Sequence, residues 1–126
     1  MQTVDVATRF YRALLEDDQT GLEAAVDPDV FVGLAGEERH GLEQLKAFAH
    51  RLRTVTGGSL RRWSSDSADI VGSEYHGVIL DRWLAERDGE KLDQHLAIVV
   101  ADLKAGRATA VFIYGYDTVA LRQFWQ

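Results

Sequence analysis

The sequence has no cysteine, which excludes disulfides, thiolate nucleophiles and thiolate metal sites together. It is short of positive charge: 14 basic residues stand against 20 acidic ones, a net of −6. Phosphate neutralisation needs a basic surface, so general nucleic-acid binding is excluded, and the small cluster "LRRW" at 60–63 does not reverse this. No apolar run approaches the roughly 18 residues that would cross a bilayer. The opening "MQTVDVATRF" has neither the basic start nor the apolar stretch of a signal peptide. A cytoplasmic protein without membrane contact is expected. Proline is nearly absent, and the lone Pro28 marks a break between elements.

What is present is an ordinary globular composition, 46% apolar and 27% charged over 126 residues, consistent with one domain spanning 1–126. The first third has helical periodicity. Val6, Ala7, Phe10, Tyr11 and Leu14 recur at spacings of three and four, with Thr3 as a candidate N-cap. A short helix is predicted after Asp18, a strand at 30–34, and a helix from Leu42 that carries Leu45, Phe48 and Leu52 inward and stops at "TGGS". The chain then changes to strand character over 60–71, 75–86, 92–103 and 107–116, and Asp117 caps a final short helix.

Gly72-Ser73, Asp88-Gly89 and Ala105-Gly106 punctuate those strands as two-residue hairpins, which fixes the register by counting outward. Arg82 then faces His95, Leu84 faces Asp93, Ala97 faces Tyr114, His95 faces Tyr116, Ser65 faces Leu80 and Trp63 faces Arg82. One sheet face carries Val78, Leu80, Ala97, Val99, Phe112 and Tyr114, with Trp63, Arg82, His95 and Tyr116 as a polar row at one end and Asp93 one step beyond. The other face carries Ile79, Trp83, Leu96, Ile98, Val100, Val111 and Ile113, with Asp81 as its one charged member. Both faces are too apolar to be wholly wet.

The face with the polar row has the composition of a pocket, mostly apolar with a few convergent polar groups. It nominates His95, Arg82 and Tyr114 as catalytic, with Tyr11, Trp63, Leu80, Asp93, Ala97, Phe112 and Tyr116 as substrate-binding residues. His95 titrates in the range suited to proton transfer, and Asp93 is placed to orient it. The bland alternatives are a hydrogen-bonded wall histidine, core tyrosines and a surface Arg82–Asp93 pair. The remaining histidines, His40, His50 and His76, show no metal-ligand spacing, so no metal is expected.

The order of elements, with "RFYRALLEDD", "VDPDVFVG", "HGLEQLKAF", "SEYHGVIL" and "YDTVALRQFW", resembles the nuclear transport factor 2-like superfamily, and within it the SnoaL-like and ketosteroid-isomerase-like proteins. The resemblance covers essentially the whole chain. It implies an α+β fold in which a cone-shaped curved antiparallel sheet wraps around helices and encloses a pocket, with dimers through the outer sheet face. The superfamily spans isomerases, dehydratases, epoxide hydrolases, polyketide cyclases and proteins that only bind.

Position by position, the family's carboxylates are missing. Tyr11 matches the helix tyrosine of ketosteroid isomerases, but their base falls near Val32 to Leu34 and their second Asp near Ala97 to Val99. Arg82 matches the arginine of limonene epoxide hydrolases, while Leu84 and Tyr114 replace both aspartates. SnoaL-type cyclases also place an Asp near the position of Tyr114. The resemblance thus implies a cofactor-independent acid–base enzyme on a hydrophobic small molecule, of isomerase, cyclase or dehydratase type, acting as a homodimer. A non-catalytic small-molecule-binding or accessory protein, an epoxide hydrolase-like activity and a purely interacting protein are the alternatives.

Overall fold

A computed structural model describes residues 2–63 and 68–126. Helix α1 (Gln2–Glu16) buries Val6, Ala7, Phe10, Tyr11 and Leu14, the stripe read from the sequence. Thr3 is not its cap: it lies buried within the first turn, and its hydroxyl donates to the carbonyl of Ser73 at 2.7 Å. Helix α2 (Gln19–Ala25) is capped by Asp18, whose carboxylate accepts from the Gly21 N–H. Strand β1 (Val26–Leu34) runs through Pro28 rather than starting after it, at the cost of a register shift between Val26 and Phe31. Ala35 and Gly36, both at positive φ, turn it into β2 (Glu37–His40).

Helix α3 (Leu42–Thr54) follows, then β3 (Arg61–Arg62), β4 (Asp69–Gly72), β5 (His76–Arg87), β6 (Glu90–Ala101), β7 (Ala108–Gly115) and helix α4 (Thr118–Trp125). The sheet order is β2-β1-β7-β6-β5-β3, with β4 also on β5. All neighbours are antiparallel except β1 and β7, which run parallel, so the sheet is mixed rather than wholly antiparallel. No helix among the described residues is long and apolar enough to cross a membrane.

The β5–β6 and β6–β7 registers are those counted from Asp88-Gly89 and Ala105-Gly106: Arg82 pairs His95, Leu84 pairs Asp93, and Ala97 pairs Tyr114. All four turn residues have positive φ, the twist that suits a two-residue hairpin. The Gly72-Ser73 turn is displaced. Gly72 pairs Gly77, and Ser73 N–H donates to the His76 carbonyl, so the loop is Glu74-Tyr75. Leu80 therefore faces Asp69; Ser65 lies outside the described residues. A shift of four keeps parity, and β3 returns to the original count: Trp63 N–H donates to the Arg82 carbonyl at 2.8 Å.

The larger correction concerns which face is inside. Ile79, Trp83, Ile98, Val100, Val111 and Ile113 are fully buried on the side that α1 and α4 cover. The face read as a pocket points outward: Leu80 is 46% exposed, Tyr114 47%, Trp63 62% and Tyr116 91%. His95 and Asp93 are exposed too, while Arg82, Ala97 and Phe112 are half-buried on the same side. The reason is steric as well as hydrophobic. A side chain on Gly77 would strike the backbone of α1, and one on Gly115 would strike Leu121 of α4. Both glycines lie on the Ile79 face, where the helices rest.

Candidate functional site

The polar row exists as counted but faces out. Arg82 forms a fork on Asp93, with Nε to Oδ1 at 2.7 Å and Nη2 to Oδ2 at 2.8 Å, and its guanidinium stacks 4.0 Å from the Trp63 ring centroid. The Tyr116 N–H donates to the His95 carbonyl, and the Phe112 and Tyr114 rings stack 6.2 Å apart. The hydrogen bonds from Arg82 hold the Asp93 carboxyl below the usual carboxylate range, and the same contact raises the Arg82 guanidinium. The structure brings these residues together on an open sheet face rather than around an enclosed ligand. The interior placement from which catalytic roles for His95, Arg82 and Tyr114 were expected is thus corrected.

Of the residues nominated from sequence, Tyr11 lies inside. Helix α1 aims it at β5, where its hydroxyl donates to Asp81 Oδ2 at 2.5 Å and accepts the Trp83 indole N–H at 2.8 Å. Arg62 Nε, from β3, donates to the same Asp81 oxygen at 2.5 Å, and its guanidinium sits 5.9 Å from the Tyr11 ring centroid. Asp81 Oδ1 accepts the Arg82 backbone N–H. The Asp81 side chain is 7% exposed and that of Arg62 23%. Strand alternation places Asp81 and Trp83 on the helix side, and β3 lies against that stretch of β5, which brings Arg62 over the carboxylate.

Burial, together with the hydrogen bond to Asp81, pushes the Tyr11 hydroxyl far above its ordinary value, although the Trp83 N–H and Arg62 oppose the shift. Burial works to lower Arg62, but its hydrogen bond to Asp81 and the charge there win and raise it. Tyr11 is therefore a fixed proton donor, Arg62 a fixed cation and Asp81 the acceptor between them. Beside Arg62 opens a hollow of about 470 Å³ in which Leu15, Leu52 and Leu60 stand with Arg53, Thr54 and Arg61. The sequence carried one sign of this centre: Asp81 as the charged member of an otherwise apolar face. Arg62 stands in the cluster "LRRW", whose only bearing in the sequence is that it is too small to support nucleic-acid binding. Among the described residues, no three His, Asp or Glu side chains converge to hold a metal ion.

No family model matches the chain, and no curated protein matches its sequence. Solved structures match over nearly the whole length. Bal32a, from a soil-derived mobile gene cassette, is 25% identical, with a TM-score of 0.83 over 99% of this chain and 97% of that one. A structure from Jannaschia sp. CCS1, named as a candidate SnoaL-like polyketide cyclase, is 16% identical, with a TM-score of 0.76 over 97% and 90%. TerC, co-crystallised with polyporic acid, is 18% identical, with a TM-score of 0.75 over 99% and 98%. Others are described as NTF2-like or as having a cystatin-like fold. The chain has the NTF2-like, cystatin-like α+β fold that its element order resembled.

Proposed function

We propose that the protein is a cofactor-independent acid–base enzyme acting on a hydrophobic, carbonyl-bearing small molecule, with its centre at Asp81, Tyr11 and Arg62. The carrying observation is a carboxylate 7% exposed, held between a permanent cation and a tyrosine that keeps its proton. The hollow at Arg62, through Leu15, Leu52 and Leu60, supplies a seat for the apolar body of such a molecule. In this reading Asp81 takes the proton from the carbon next to the carbonyl. The C–H electron pair moves into the enolate, whose oxygen Arg62 stabilises. Return of the proton to another carbon gives isomerisation; attack by the enolate carbon on a second carbonyl, whose oxygen then takes the proton from Asp81, gives cyclisation. Tyr11, itself held by the Trp83 indole N–H, keeps the carboxylate in place. The candidate cyclase and the ligand-bound TerC among the matched folds agree with small-molecule chemistry of this class.

The test does not require the natural substrate. Cyclic ketones and 1,3-diketones incubated with the protein in D2O should lose their α-proton signals faster than in buffer. Asp81→Asn should abolish the excess rate, and His95→Ala should leave it intact. A wild-type protein that exchanges no member of the panel, or an Asp81→Asn variant that exchanges equally well, defeats the reading.

We further propose that the outer sheet face joins two copies. Leu80, Tyr114, Trp63 and Val71 are about half exposed or more on one continuous face. The Arg82–Asp93 pair on that face is self-complementary under a twofold axis, because Arg82 of one copy would meet Asp93 of the other and the reverse.

A further inference from the structure

On the far side of Trp83 from Tyr11 the fold has a second concavity, built from different elements. The end of β1, β2, α3 and α4 enclose a cleft of about 410 Å³. Its apolar walls are Leu34, Phe48, Leu121 and Trp125. Trp125 is buried edge-on to Phe48 and Trp83, at 6.3 Å between centroids in each case. Three guanidiniums, Arg39, Arg51 and Arg122, border this apolar surface. Concentration of positive charge here is notable because the chain as a whole carries −6.

The local charge balance is incomplete. One carboxylate side chain, Glu37, lines the cleft with the three arginines. Its Oε2 accepts from Arg39 at 2.5 Å, and its Oε1 lies 3.6 Å from Arg122 Nε. Arg122 Nη1 donates to the Ala35 carbonyl at 3.3 Å, and Arg51 uses Nε and Nη2 on the Trp125 carbonyl. Those backbone contacts fix where the guanidiniums sit without cancelling their charge. Each guanidinium has five N–H donors, so donors remain after these bonds. Fixed, part-buried arginines beside an aromatic floor form a fork suited to a carboxylate with a flat apolar body.

We infer that this cleft is a binding site for an aromatic carboxylate, its ring between Phe48, Leu121 and Trp125 and its carboxylate on the donors of Arg39 and Arg122 that Glu37 and the Ala35 carbonyl leave free. The site is distinct from the acid–base centre proposed above. It shares no residue with the Asp81, Tyr11 and Arg62 group, and the Trp83 ring lies between them.

Naphthoate is the probe, naphthamide its neutral control, and calorimetric titration with quenching of tryptophan fluorescence the readout. Naphthoate should bind at least about tenfold more tightly than naphthamide, because a charge-assisted pair is worth roughly twice a neutral one. Arg122→Gln and Arg39→Gln should each weaken naphthoate by about tenfold while leaving naphthamide unchanged. Both side chains are about one-third exposed or more, and an unchanged melting temperature will show that the variants fold. Added salt should weaken naphthoate alone. Equal affinity for acid and amide, an affinity indifferent to both substitutions, or no naphthoate binding at all would overturn the inference. Asp81→Asn should leave naphthoate affinity unchanged, so loss of ketone exchange and loss of acid binding are separable results.

Discussion

Tyr11 shows how one side chain can bear on stability and chemistry at once. The residue is 4% exposed, and its hydroxyl donates to a carboxylate and accepts an indole N–H. Removing it leaves two buried groups each short of a partner, a loss of about 1–3 kcal/mol. Its folded-state pKa is raised, so the neutral phenol is favoured by the fold and the folded protein holds a proton the unfolded chain would release. The contribution is therefore complete below the ordinary tyrosine value near 10 and is lost as pH rises beyond it. Urea unfolding of wild type and Tyr11→Phe should differ by a constant amount from neutrality to about pH 10, then converge at higher pH. Profiles that stay parallel through the alkaline range would show that Tyr11 ionises normally in the fold. Asp81 reports the other side of this balance: without Arg62 and Tyr11 its burial would cost several kcal/mol, so the trio stands or falls together.

At the scale of elements, turns were more legible than faces. Asp88-Gly89 and Ala105-Gly106 adopt the left-handed conformation, which both glycines accept freely, and they set two registers without error. Gly72-Ser73 misled because Gly72 serves a strand and the turn falls on Glu74-Tyr75, where Ser73 Oγ accepts the His76 N–H. Sidedness was not legible from alternation, since both faces of β5 and β6 are rich in apolar residues. The distinction lay in Gly77 and Gly115, whose missing side chains admit α1 and α4. Helix α4 itself was readable from its cap: Asp117 accepts the Ala120 N–H at 3.0 Å. Asp117→Ala should lower stability by about 1 kcal/mol, while Asp117→Asn retains most of it. Hydrogen exchange should show the loss concentrated at Leu121 and Phe124 rather than spread over the sheet. A uniform loss would mean that α4 does not open separately from the core.

At the scale of the whole molecule, one sheet face is sealed by helices and the other is not. Leu80 and Tyr114 stand exposed where the sequence pattern would have enclosed them, and Val71 stands exposed on the same face. A second copy would cover that face, and a stable interface requires roughly 800 Å² from each partner. The repulsion expected between two chains of net charge −6 has to be offset locally. Arg82 and Asp93 offer that offset, because a twofold axis brings each near the other's counterpart. Sedimentation velocity should therefore find a dimer at neutral pH. Leu80→Asp and Tyr114→Glu should each shift it to monomer, since a charge is then buried without a partner. Because both side chains are about half exposed, melting at matched monomer concentration should change little. A wild-type chain that remains monomeric into the millimolar range would leave this face to solvent. A dimer that survives both substitutions would place the interface elsewhere on the molecule.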